Sequence, residues 1–206
     1  MSTKSQRIIG LTGGIATGKT SVSNYLNKIY DIPILDADIY AREAVQPNSP
    51  TLQEIFTRYG QLVELPGGQL NRQILGDIIF NNLEEKRWLE SKIHPFIINK
   101  FEEEISRLKS SIIILSIPLL FEAKLTNLVT EVWVVYCSYN QQIKRLIKNN
   151  HMTKKRAIKR ITSQLSLAKK VDLADVVLDN SSTLDTLYQQ VDFYIRNSFS
   201  DKTYYL

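Results

Sequence analysis

The chain has 206 residues, 43% hydrophobic and 23% charged, with a formal net charge of +5 and a single cysteine, Cys137. That length suits one domain with insertions and a sizeable core, and the lone cysteine excludes an internal disulfide framework and fits a reducing compartment. The longest apolar run, residues 112–121, is interrupted by Ser116 and Pro118 and is too short to span a bilayer. Lys4 and Arg7 precede the apolar "IIGLTGGIA", but Gly18-Lys19 stands where a leader would need its small-residue cleavage site. The chain is therefore expected to be mature and cytoplasmic, with no membrane partner.

In chain order, "RIIGLT" (7–12) predicts a buried strand, and residues 18–29 a helix with Val22, Leu26 and Ile29 on one face. "IPILDAD" (32–38) predicts a second strand ending in carboxylates. Residues 40–108 read as mostly helical, with turns at "QPNSP" and "LPGGQ" and a helical pattern over 83–108 that breaks at His94-Pro95. Further strands are expected at 111–120, 131–137 and 174–180, with helices at 141–148, 154–167 and from about 181 to Arg196. Continuously apolar strands alternating with helices imply a parallel sheet covered on both faces. The expected fold class is α/β: three layers around a five-stranded parallel sheet.

Gly13-x-x-x-x-Gly18-Lys19-Thr20, between a predicted strand and a predicted helix, fits the phosphate-binding loop of nucleoside-triphosphate enzymes. Glycines let backbone amides turn toward an anion, and the following helix start adds its dipole. Lys19 is the residue type that reaches the outer phosphates, and Thr20 the one whose hydroxyl can bind Mg²⁺. The Asn-Lys-x-Asp motif that reads guanine is absent from the chain, which argues against a GTPase. Ligands of open α/β sheets bind beyond the carboxyl ends of the strands. Asp36 and Asp38 are thus expected near the phosphates and, by strand alternation, on the same side. They could serve as general base or position Mg²⁺ through water. The bland alternative is that Asp38 only caps the helix that follows.

Residues 140–170 hold ten Lys or Arg and no Asp or Glu, on a chain whose remainder is net acidic. Lys155/Lys159 and Arg156/Arg160 are like-charge pairs at i,i+4, opposite a narrow apolar face of Ile158, Ile161 and Leu165. A helix of this kind suits a lid that closes over polyphosphate. A solvated face and a nucleic-acid patch are the alternatives, and few aromatic residues interleave the cations as nucleic-acid binding would favour.

The blocks "IGLTGGIATGKT", "ILDADIYARE", "GQLNRQILGDIIF", "LESKIHPFI", "PLLFE", "VWVVYCSYNQQIKRL", "RITSQ" and "ADVVLDN" together resemble the dephospho-coenzyme A kinase family. That family transfers the γ-phosphate of ATP to the ribose 3′-hydroxyl of dephospho-CoA, the last step of coenzyme A synthesis. The resemblance implies ATP and dephospho-CoA as small-molecule substrates, with Mg²⁺ and no nucleic acid; it leaves oligomeric state open. It implies that Asp38 is the base, with Lys19 and Arg160 also catalytic. Gly13, Gly14, Ile15, Ala16, Thr17, Gly18, Lys19, Thr20 and Ser21 would hold ATP, with Arg145 and Asn180 on the nucleotide side and Thr20 on the metal. Asp36, Arg42, His94, Pro95, Leu119 and Phe121 would shape the acceptor pocket, and Gln164 would belong to the lid. The implied layout is one domain: a core of 1–39, 109–139 and 171–206, an acceptor-binding helical insertion of about 40–108 and a lid of about 140–170. For His94 the alternative is a capped helix break, for Pro118 a simple strand end, and for Glu122 either a ligand-side carboxylate or a helix start. Two positions depart from the family pattern. Ala16-Thr17 stands where Gly-Ser is usual. Asn149 stands where the lid carries Arg; neighbouring Lys148 could substitute as a point charge but not as a bidentate fork, and Arg145 or Arg160 could carry that load instead.

Overall fold

A computed structural model describes residues 6–197. Lys4, weighed above as part of a leader, lies outside them, as does the end of the expected core segment 171–206. The chain runs β1 (Arg7–Gly13), α1 (Lys19–Tyr30), β2 (Ile34–Asp36), α2 (Ala37–Glu43), α3 (Pro50–Tyr59), β3 (Glu64–Leu65) and β4 (Gln69–Leu70). It continues through α4 (Arg72–Asn81), α5 (Leu83–Arg107), β5 (Ile112–Ser116), β6 (Glu131–Tyr136), α6 (Tyr139–Asn150), α7 (Lys154–Thr162), α8 (Leu167–Asp172), β7 (Val176–Asp179) and α9 (Leu184–Arg196). These elements divide into two compact units, one of residues up to Leu35 and from Ser110 on, the other Asp36–Lys109.

The first unit is built on the five-stranded sheet β2-β5-β1-β6-β7. β1 pairs parallel with β5 (Ile9↔Ile114) and with β6 (Leu11↔Trp133), and β6 pairs parallel with β7 (Trp133↔Val176). Ile9, Leu11, Trp133 and Leu178 bury with Val22 and Leu26 of α1 and Leu187 and Val191 of α9. The strands are apolar on both faces because helices cover both. Tyr25 of α1 stacks on Tyr188 of α9 at 4.0 Å between ring centres. Its hydroxyl, like that of Tyr30, donates to Asp192 (2.8 and 2.7 Å). Arg7 pairs with Glu131, which also accepts the indole N–H of Trp133 at 3.1 Å.

Several expected boundaries move. Ile29 is 55% exposed, and Tyr30 packs against the core in its stead. β2 has three residues rather than seven, because the Asp36 carboxylate caps a helix that starts at Ala37. β5 stops at Ser116, two residues before Pro118, which has no N–H to give a ladder. The helix expected over 154–167 is two helices. Thr162 and Ser163 return their hydroxyls to the carbonyls of Ile158 and Arg160 (3.1 and 2.9 Å), which favours a helix end, and Ser166 caps α8 afresh. Leu165 consequently lies beyond α7 and not on its apolar face.

In the second unit, side chains of Asp36, Ser49, Asn71 and Asn82 cap α2, α3, α4 and α5. Its core gathers Ala44, Val45, Leu52, Ile55, Val63, Leu70, Leu75 and Leu89. The "LPGGQ" turn is the tip of an antiparallel hairpin, β3-β4, whose Gly67 and Gly68 sit at φ 88° and 72°. α5 does not break at His94-Pro95 but runs through it for 25 residues. Proline inside a helix removes one hydrogen bond and crowds the carbonyl four residues back, at about 3 kcal/mol. Leu89, Ile97 and Phe101, buried on both sides of Pro95, hold the two halves in line. Tyr40 of α2 meets Phe101 edge-on at 5.3 Å.

Candidate active site

Residues 14–18 form the loop between β1 and α1. The Thr17 amide and hydroxyl both donate to the Gly14 carbonyl, at 3.2 and 2.9 Å, which closes the loop's turn. Ala16 has φ 60° and Gly18 φ 109°, the left-handed region in which only glycine is at ease. A Cβ on Gly18 would lie 2.2 Å from Asn180 Nδ2, and one on Gly13 would lie 2.7 Å from the Val135 carbonyl oxygen.

Three side chains gather the loop's carbonyls. Gln142 of α6 donates to Ile15 O at 2.7 Å. Arg145, one turn on, donates through Nη1 to Ala16 O (3.2 Å) and Thr17 O (3.1 Å), and through Nη2 to Asn180 O (2.9 Å). Asn180, buried just after β7, donates to Thr17 O at 2.7 Å. Carbonyl oxygens repel an anion. With these engaged by Arg145 and two amides, the loop and the N-terminus of α1 are left suited to a phosphate chain. Arg145 and Asn180, expected on the nucleotide side, brace the loop itself in this structure.

At the head of α1, Lys19 Nζ lies 2.5 Å from the hydroxyl of Ser116, which is buried at the end of β5. Thr20 is exposed in the first turn and Ser21 is half-buried, its amide donating to Gly18 O at 2.9 Å. Ser116 and Gln142 were not singled out as site residues. The one signal for Ser116 is that it interrupts an apolar strand, and for Gln142 there is none.

In the basic segment, Ser138 and Gln141 form a capping box that starts α6, and Thr153 caps α7. Lys154, Lys155, Arg156, Lys159 and Arg160 are exposed, Ala157 is buried, and Ile158 and Ile161 are half-buried. Gln164 accepts the Ile15 amide at 2.9 Å, which brings the end of this segment onto the loop between β1 and α1. Lys148 and Asn149 are exposed at the end of α6. Leu119 and Phe121 are half-buried in the turn after β5, and Phe121 faces a cavity lined also by Val129, Val132 and Leu173.

In the second unit, Asp36 Oδ1 accepts the Asp38 amide at 2.8 Å. The strand alternation expected to align these carboxylates does not apply, because Asp38 is already helical. The cap is Asp36 and not Asp38. Asp38 and Arg42 are exposed on α2 at i,i+4 spacing, hence on one face. Tyr40 turns the other way into the core, where burial foremost and then the nearby Glu104 push its phenol up to about 12. His94 is half-buried and Pro95 exposed midway along α5.

Residues 7–186 match the family model for dephospho-CoA kinase. The curated dephospho-CoA kinase of Trichormus variabilis is 58% identical over 187 residues, covering 91% of this chain and 95% of that protein. That of Synechocystis sp. is 57% identical, covering 90% and 93%. Among solved structures, a Thermus thermophilus protein superposes with a TM-score of 0.82 at 27% identity, covering 93% of this chain and 97% of that one. The dephospho-CoA kinase of Campylobacter jejuni superposes with a TM-score of 0.69 at 26% identity, covering 92% and 95%.

Proposed function

The chain belongs to the dephospho-CoA kinase family, and from that premise we propose how its residues divide the transfer of the ATP γ-phosphate to the ribose 3′-hydroxyl of dephospho-CoA. It is an ATP-dependent kinase that catalyses the last step of coenzyme A synthesis. Phosphoryl transfer asks a protein chiefly for positioning and for charge that stabilises the transferring group. The loop from Gly13 to Ser21 holds the triphosphate by backbone amides. The supporting observation is that Gln142, Arg145 and Asn180 engage the carbonyls of Ile15, Ala16 and Thr17. Lys19 supplies charge to the outer phosphates from the head of α1, steadied by Ser116. The exposed Thr20 hydroxyl would hold Mg²⁺, an ion that takes few protein ligands and that would there offset phosphate charge.

Asp38 accepts the proton of the 3′-hydroxyl as that oxygen bonds to the γ-phosphorus and the bond to the ADP oxygen breaks. Asp38 is exposed on the first turn of α2, whereas Asp36 serves as the cap. Arg42, on the same face, and His94 and Pro95 of α5 line the acceptor side within the helical insertion, with Asp36, Leu119 and Phe121 assigned to it as well. Arg160 and Gln164 belong to the lid of about 140–170. We assign the enzyme to the cytoplasm, because its co-substrate is ATP and a lone cysteine forms no internal disulfide. Among the described residues no helix is long and apolar enough to cross a membrane.

Asp38→Asn tests the assignment. Removing a general base is expected to lower kcat by about a hundredfold or more while ATP binding, measured by calorimetry, stays within about twofold. Unchanged turnover would remove Asp38 from its role.

A further inference from the structure

Lys170, on α8, is 0% exposed. A lysine is almost never fully buried without a partner, and the desolvation of its ammonium is expensive. Its Nζ lies 2.9 Å from Glu122 Oε1 and 3.0 Å from the Pro118 carbonyl oxygen. The same Glu122 oxygen accepts the Leu165 amide at 3.0 Å. The same Pro118 carbonyl accepts the hydroxyl of Thr12, the penultimate residue of β1, at 3.1 Å. Beside Leu165, Gln164 accepts the Ile15 amide at 2.9 Å. These bonds close a ring: Thr12 to Pro118, to Lys170, to Glu122, to the 164–165 link, and back to Ile15, three residues from where it began. The ring encloses the first half of the phosphate loop, and its charged member Lys170 has no access to water.

Apolar side chains at both 170 and 122 would avoid the desolvation, and such replacements of buried ion pairs are often neutral or stabilising. What the ion pair supplies is geometry. We propose that Lys170 and Glu122 are positioning residues for phosphoryl transfer: together they clasp the link after α7, so that Gln164 fixes the Ile15 amide and Arg160, one turn earlier, is stationed toward the phosphates. Lys170 touches no substrate in this role; it acts through Gln164 and the loop. The inference rests on the phosphate loop being the ATP site.

The test is steady-state kinetics on the full chain carrying Lys170→Met, Gln164→Ala, and both. Lys170→Met is the gentler way to open the clasp, because the charge it strands, Glu122, is 23% exposed and reaches water. A misplaced loop is expected to lower kcat about tenfold or more, while KM for dephospho-CoA stays within about threefold. Because both residues act through one ring, the double variant is expected to be within about threefold of the worse single one, not the product of the two losses. A wild-type kcat in folded Lys170→Met, or losses that multiply, overturns the proposal; a purely structural lysine would lower the melting temperature and leave kcat alone. Should Lys170→Met not fold, the neutral pair Lys170→Met/Glu122→Gln must show the same kcat loss, and amide exchange at Ile15 must quicken in Glu122→Gln; failure of either overturns it equally. Lys19→Ala separates the two levels. If it turns over normally, the loop itself was misassigned; if it is crippled while the clasp variants are not, only the clasp is wrong.

Discussion

At Gly18 two constraints coincide, a φ of 109° and the Asn180 amide where a Cβ would stand. Asn180 cannot yield cheaply, since it is buried and holds Thr17 O. Gly18→Ala is therefore expected to lower stability by about 1–3 kcal/mol in urea unfolding and to weaken ATP binding at least about tenfold. Wild-type values for both would show that the loop tolerates a side chain there. Gly13, Gly18, Lys19 and Thr20 were legible because their spacing encodes a local backbone path. The engagement of the loop's carbonyls by Gln142, Arg145 and Asn180 was not, because those bonds join residues more than a hundred positions apart. For Asp36 and Asp38 the expected strand geometry does not hold. An aspartate at a strand end is as good a helix cap as a strand residue, and the cap won. Lys170 gave no sign at all, because a lysine in a basic stretch looks like one more solvated charge.

At the scale of elements, α5 is the instructive case. Its helical periodicity was visible on both sides of Pro95, and proline argued for a break. Burial of Leu89, Ile97 and Phe101 outweighed the lost hydrogen bond. Pro95→Ala should therefore stabilise the second unit by about 1–3 kcal/mol in urea, while raising KM for dephospho-CoA if Pro95 lines the acceptor side. A loss of stability would contradict the helical account. The same unit carries a pH dependence. Glu85 is held down to about 2 from an ordinary 4.5, first by its hydrogen bonds from Arg58 and then by that from Tyr59. Arg58 reaches it at 2.7 and 3.0 Å while lying over the Trp88 ring at 4.6 Å. A carboxylate whose folded value is depressed stabilises the fold above its ordinary range, and that contribution is lost as the pH falls through the folded value. The difference in urea midpoint between the wild type and Glu85→Gln should thus be full at neutral pH and shrink from about pH 4.5 down to about 2. A difference that ignores pH would mean the pair adds nothing through its charge. The α7–α8 boundary was missed because its cause, hydroxyls of Thr162 and Ser163 turning back on the helix, is a choice these residues make only in context.

At the scale of the whole molecule, the parallel sheet was legible because continuously apolar strands have no other economical burial than between two helical layers. The order β2-β5-β1-β6-β7 was not, since periodicity says which residues are buried and not which strands are neighbours. The hairpin β3-β4 was seen only as a turn, its strands being two residues each. The family match points to one reaction. Its most direct measurement is phosphorus NMR of the product made by the purified chain from ATP, Mg²⁺ and dephospho-CoA. The expected result is a single new phosphomonoester on the ribose 3′ oxygen, formed one for one with ADP. ATP consumed with dephospho-CoA left intact, or phosphate delivered to any other oxygen of it, would contradict the assignment.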